Sequence, residues 1–137
     1  MSKLVQMMDA HKNIYAAIKE IQESVNQVDE NAVFLAKSIS RLAGMLKIHL
    51  MNEDKFLYPA MKNSKDDQLK QKASKFQDEM GSLSQDFMTF KDKYNTQSKL
   101  LNDPILAKKE ITSMCDTILK RMHKEDHDLY PLAEKVM

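Results

Sequence analysis

Three ionisable side chains, His11, Glu53 and Glu125, stand at positions that helical spacing would otherwise fill with apolar residues. His49 and Arg121 lie one residue beside such positions. Each is one helical turn before a glutamate, so His49 shares a face with Glu53 and Arg121 with Glu125. An isolated charge is very costly to bury, so interior carboxylates must protonate, pair or bind a cation. Imidazole and carboxylate converging from facing helices form a ligand set suited to iron, manganese or zinc. The same residues also admit a metal-free cluster, in which Arg121 and a protonated His11 or His49 neutralise Glu53 and Glu125. Spacing alone leaves both open.

Four segments must position these side chains, each with apolar residues alternating at three and four, the repeat of bundle helices. The first runs Leu4, Met8, His11, Tyr15, Ile18, Gln22, Val25; the second Ala36, Ile39, Ala43, Leu46, Leu50, Glu53, Leu57, Ala60. The third is the most regular: Leu69, Ala73, Phe76, Met80, Leu83, Phe87, Phe90, Tyr94. The fourth runs Ile111, Cys115, Ile118, Met122, Glu125, Leu129, Leu132, Val136. Val28 to Asn31 is expected to separate the first two and Asn63 to Asp66 the next two, while Asn95 to Asp103 is mostly polar. Asp103-Pro104 reads as an N-cap followed by proline in the first turn. Pro59 and Pro131 fall late in their helices and are expected to bend or end them.

Short connections favour antiparallel neighbours, so the expected fold is an all-α, up-down-up-down four-helix bundle. At 1.5 Å per residue, His11 and Glu53 would lie ~12–14 Å from one bundle end, and Met80 and Glu125 roughly 18–21 Å from it. That agrees to within about two turns, close enough for one layer.

Composition excludes much else. At about 150 residues per domain, 137 residues make one domain, 1–137. With 42% hydrophobic and 30% charged residues the chain is globular rather than disordered. Two glycines, Gly44 and Gly81, cannot build a dinucleotide or phosphate loop, and so few turn-formers argue against a many-stranded sheet. The balance of 21 basic and 20 acidic residues shows no basic stripe for nucleic acid. No apolar run reaches the ~18 residues of a membrane span. Cys115 has no partner for a disulfide, and Met1 to Asp9 lacks the apolar stretch of a signal peptide. A soluble cytoplasmic protein, contacting neither nucleic acid nor membrane, is expected.

One motif occurs twice without a gap. His49-x-x-x-Glu53-Asp54-x-x-Leu57-Tyr58-Pro59 matches Arg121-x-x-x-Glu125-Asp126-x-x-Leu129-Tyr130-Pro131, with Arg121 in the place of His49. With His11 preceding it in the first helix, this pattern resembles the hemerythrin-like (HHE cation-binding) family over essentially the whole chain. The resemblance implies a bundle holding two iron ions on histidines and bridging carboxylates, in proteins that bind oxygen, store or sense iron, or handle nitric oxide and peroxide. It places metal ligands at His11, His49, Glu53 and Glu125. Histidines would also be expected where Met80 and Arg121 stand. A thioether is a poor ligand for hard iron and guanidinium does not coordinate, so a reduced set holding one ion rather than two is expected.

The resemblance therefore implies a metal-binding protein, with iron first and zinc or manganese as alternatives, that senses or handles iron or a small molecule such as dioxygen, nitric oxide or peroxide. Arg121 and Met80 would then stand beside the metal or substitute for it. The alternative is a metal-free bundle with Arg121 in the metal's place, serving as an interaction or sensing module; its protein partner is not legible. An enzymatic role is left open, a non-enzymatic one being favoured. Glu79 adjoins Met80 but lies about 100° round the helix, off the stripe. His123 and His127 are each two residues from Glu125, roughly 200° around, and should face outward as a solvated pair. Cys115 on a stripe reads as a small buried hydrophobe. Tyr58 and Tyr130, repeated with their prolines, read as residues that fix helix ends.

Overall fold

The structure, a computed structural model, describes residues 3–136; residues 1, 2 and 137, the extremities of the expected domain, lie outside the described residues. Every element among the described residues is helical. Helix α1 spans Lys3–Ser24 and passes through a 3-10 turn, Val25–Gln27, into α2, Val28–Asn52. A π-helical turn, Glu53–Leu57, joins α2 to α3, Tyr58–Lys62. Then follow α4, Asp67–Tyr94, the short α5, Gln97–Asn102, and α6, Pro104–Lys124. A second π-helical turn, Glu125–Leu129, leads into α7, Tyr130–Val136. The chain therefore forms four long arms: α1, α2–α3, α4 and α6–α7.

Side-chain caps set several of the starts. Asp66 accepts from the Leu69 N–H at 2.9 Å to begin α4, and Asp103 accepts from Leu106 at 3.1 Å to begin α6, with Pro104 in its first turn. Contacts between arms fix their directions. Asn31 bonds the Ser24 carbonyl at 3.1 Å while His49 meets His11 at 3.0 Å, so α1 and α2 run oppositely. Leu46 and Leu50 share a small cavity with Leu83 and Phe87, whereas Lys62 bonds Gln77, so α2–α3 and α4 do likewise. Lys93 pairs with Glu110 and Lys72 with Asp128, reversing α6–α7 against α4.

Apolar burial is divided into two clusters. The larger takes Ile14 to Val25 of α1, α2 as far as Leu50, α4 from Met80 onward and α6 as far as Met122. The smaller takes Leu4 and Met7, Leu57 to Met61, Leu69 to Phe76, and Leu129 to Ala133. His11, Glu53 and Glu125 each fall in the gap between these clusters on their own arm. A polar layer therefore crosses three arms, while α4 passes from Phe76 to Met80 with both side chains in apolar clusters. Among the described residues no helix is long and apolar enough to cross a membrane.

The α4 stripe is buried at all of its expected positions. Elsewhere the register differs in instructive ways. On α1 the buried face is Leu4, Met7, His11, Ile14, Ile18 and Ile21; Met8 and Tyr15 are half-buried and the polar Gln22 is exposed. The first break falls at Val25–Gln27 rather than at Val28 to Asn31, which places Asp29 and Glu30 in the first turn of α2, where carboxylates favour the helix dipole. Asn95 to Asp103 is not simply a loop, because Leu100 is buried from α5.

Pro59 and Pro131 do not end their arms. Each proline lacks an N–H and would crowd the carbonyl four residues earlier, and each arm widens into a π turn just before it. The wider turn shifts the buried face by one residue. Met61 rather than Ala60 enters the core, and Tyr130 and Ala133 are buried while Leu132 and Val136 are only half-buried.

Candidate metal centre

His11, His49, Glu53 and Glu125 are all buried, and one donor atom from each lies within 4.8 Å of the others. His11 comes from the gap in α1 and His49 from the last turn of α2, with Glu53 and Glu125 each opening a π turn. The Nε2 atoms of His11 and His49 are 3.0 Å apart. His49 Nε2 is 2.8 Å from Glu53 Oε1, and His11 Nε2 is 3.6 Å from Glu125 Oε1. Glu53 Oε1 and Glu125 Oε1 nevertheless have no hydrogen-bond partner, so the close approaches lack hydrogen-bond geometry. Metal–ligand bonds of about 2.0–2.2 Å place donor atoms roughly 3–4 Å apart, the spacing that His11, His49, Glu53 and Glu125 approximate. Orphaned acceptors at that spacing fit a cation.

The π turns bring in two further side chains. Because each turn shifts the face by one residue, the Tyr N–H bonds the Glu carbonyl five residues back, and both Leu and Tyr of each Leu-Tyr-Pro enter the interior. The hydroxyls then cross between arms. Tyr58 donates to Glu125 Oε2 at 3.3 Å, and Tyr130 donates to Glu53 Oε2 at 3.1 Å. Tyr130 Oη is also 3.2 Å from His11 Nε2. Each half of the sequence repeat therefore braces the carboxylate of the other.

Burial dominates the electrostatics. It pushes Glu53 up to about 7, against hydrogen bonding that favours the carboxylate. It pushes Glu125 up to about 8, with the Glu53 charge adding to the rise. Burial lowers the His49 imidazole and raises both tyrosine phenols, so the phenols remain donors. Two carboxylates and two imidazoles in a dry layer are a high-energy arrangement that a divalent cation relieves.

The family model for the hemerythrin HHE cation binding domain matches residues 2–133 of this chain. The chain belongs to that family. Neither a curated protein nor a solved structure matched it. The family is one of cation-binding domains, and the buried His/Glu group is one that could hold a metal.

At the two positions where the hemerythrin resemblance leads one to expect further histidines, the structure shows other packing. Met80 is buried in the larger apolar cluster. Arg121 forms an ion pair with Glu79 and lies 5.7 Å over the Phe76 ring. Among the described residues no ion pair joins Arg121 to Glu53 or Glu125. Glu79, off the α4 stripe, is thus the partner of that guanidinium. His123 and His127 are exposed, their rings 6.0 Å apart and nearly parallel. Burial pushes the Cys115 thiol up to about 12, leaving it inert.

Two polar side chains beside the site were not legible as such. Asp126 accepts from His11 Nδ1 at 2.8 Å, and Tyr15 donates its hydroxyl to the other oxygen of Asp126. A signal existed for Asp126, since it follows Glu125 directly in the repeat. Tyr58 and Tyr130 were legible as repeated residues, but their hydroxyl contacts depend on the π register.

Proposed function

We propose that this chain is a single-domain, up-down-up-down antiparallel four-helix bundle that holds one metal ion, iron in the first place, on His11, His49, Glu53 and Glu125. The observation that carries this reading is the convergence of four buried donors within 4.8 Å, with Glu53 Oε1 and Glu125 Oε1 unpartnered. Mixed nitrogen and oxygen donors suit iron, zinc or manganese. When bound, the ion supplies a Lewis-acid or redox centre to which water or a small molecule such as dioxygen, nitric oxide or peroxide can add. The residues around it hold and orient: Tyr58 and Tyr130 donate to the outer carboxylate oxygens, and the apolar clusters on either side limit water.

Sensing or handling of iron or of such a small molecule, in the cytoplasm, is the role we assign. It is supported by a site built from candidate ligands and the hydroxyls that brace them. The metal-free alternative draws on Arg121 as the internal cation, and the pairing of Arg121 with Glu79 favours the metal instead.

Elemental analysis of untagged protein, with a visible spectrum taken in air, tests this reading. One transition-metal ion per chain is expected, with His49→Ala losing it. The spectrum separates coloured ferric iron from colourless zinc. Full stoichiometric metal in His49→Ala overturns the assignment.

A further inference from the structure

His11 and His49 are held very differently. His49 Nδ1 is buried with no hydrogen-bond partner, and its Nε2 meets only the other groups of the layer, His11 Nε2 at 3.0 Å and Glu53 Oε1 at 2.8 Å. His11 Nδ1 lies 2.8 Å from Asp126 Oδ1, and Asp126 Oδ2 accepts the hydroxyl of Tyr15. A carboxylate only accepts, so the His11 nitrogen facing it must be the N–H, and Nε2 of the neutral ring is left with its lone pair. That lone pair points to the layer where Glu53, Glu125 and His49 converge.

Asp126 is itself oriented. Its side chain is only about a quarter exposed (24%), and Tyr15 grips it from the half-buried flank of α1, edge-on to the His11 ring at 6.1 Å. Burial first, and the Asp126 carboxylate second, raise the Tyr15 phenol, so it remains the donor in this pair. The internal repeat supplies a comparison within the same molecule. Asp54 occupies the place of Asp126 in the other half, yet it is exposed and accepts from Gln77 at 3.1 Å. The arm it faces, α4, carries Met80 in its apolar core and no imidazole. The half-buried, doubly engaged aspartate occurs in the half that faces a histidine.

We infer that Asp126, clamped by Tyr15, is a positioning residue that fixes the Nδ1–H tautomer of His11 and aims Nε2 as a metal donor. The inference rests on the metal reading above and deepens it. Outer partners of ligating histidines set ring orientation and ligand basicity, and their loss typically weakens metal binding about 10–100-fold.

Two measurements on the full chain decide it. Imidazole nitrogen-15 NMR of the metal-free protein reads the tautomer, which a merely structural role would not move. Wild-type His11 is expected as Nδ1–H, with Asp126→Ala shifting it toward Nε2–H. Asp126→Asn retains an acceptor oxygen and restores the wild-type form. Competition titration with Co2+ is expected to show affinity falling about 10–100-fold in Asp126→Ala, less in Tyr15→Phe, and partly recovering in Asp126→Asn.

Nε2–H in wild-type His11 overturns the inference, as does an Asp126→Ala chain with unchanged tautomer and Co2+ affinity. Should Asp126→Ala not fold, Tyr15→Phe decides: a smaller loss in the same direction supports the inference, and no change overturns it. Failure of the wild-type chain to take up Co2+ overturns the metal reading and the donor role together. The tautomer of the metal-free chain still decides the Asp126 contact by itself.

Discussion

Tyr130 reaches from the end of one arm to donate its hydroxyl to Glu53 Oε2 on another, 3.1 Å away. Tyr58 makes the reciprocal contact with Glu125 at 3.3 Å. Removing either hydroxyl strips a buried carboxyl group of a donor. Tyr58→Phe and Tyr130→Phe are each expected to destabilise the metal-free chain by about 1–3 kcal/mol in urea melts. Tyr130→Phe should cost somewhat more than Tyr58→Phe, because its bond is the shorter of the two. Equal stability of wild type and Tyr130→Phe would contradict the bracing role.

The pH dependence of the metal-free chain follows from the same layer. Burial raises Glu53 to about 7 and Glu125 to about 8, above the ~4.3 of an unfolded glutamate. Between those limits the folded chain binds more protons than the unfolded one, so stability is lost as pH rises. His49, lowered by burial, acts oppositely, but only below its unfolded value of ~6.5. Stability, and with it the melting temperature, should therefore fall from pH 5 to about 8, most steeply between about 6.5 and 7, by on the order of a few kcal/mol in all. Metal requires the deprotonated carboxylates, so the rise in melting temperature on adding Zn2+ should grow over the same range. Thermal melts across this range, with and without Zn2+, check both trends.

Arg121 offers a sharp contrast. Paired with Glu79 in a partly exposed setting, its side chain 17% and that of Glu79 33% accessible, it contributes as a peripheral ion pair. Arg121→Met is expected to cost about 0.5–1 kcal/mol, partly screened by salt, and to leave metal content unchanged. A loss of about 3–5 kcal/mol, the scale of breaking a buried pair, would instead indicate that Arg121 neutralises the central carboxylates.

What could be read in advance divides along physical lines. The α4 stripe was legible residue by residue, because an unbroken α-helix with apolar residues at three and four has one solution. His11, His49, Glu53 and Glu125 were legible as neighbours because each sits on or beside its stripe at a similar depth. The face of α3 was not, since one inserted residue in a π turn moves burial from Ala60 to Met61. The proline marked the place without giving the register, and so the inward turn of Tyr58 and Tyr130 was hidden. Asp126 lay beyond periodicity for a related reason. It is half-buried at the start of the second π turn, and only the docking of α1 shows that His11 and Tyr15 both face it. Arg121 likewise could be placed near the site, but its choice of Glu79 over Glu125 depends on how α4 packs against α6.

On the proposed reading His11, His49, Glu53 and Glu125 hold one metal ion together. X-ray absorption at the metal edge of the full chain loaded with Fe2+, alongside the Glu53→Gln variant, tests it most directly. One ion per chain is predicted, with two imidazole nitrogens and carboxylate oxygens at about 2.0–2.2 Å in the wild type and a lost or visibly altered shell in the variant. An ion without imidazole ligands, an ion held at His123 and His127, or a shell indifferent to Glu53→Gln would contradict the account.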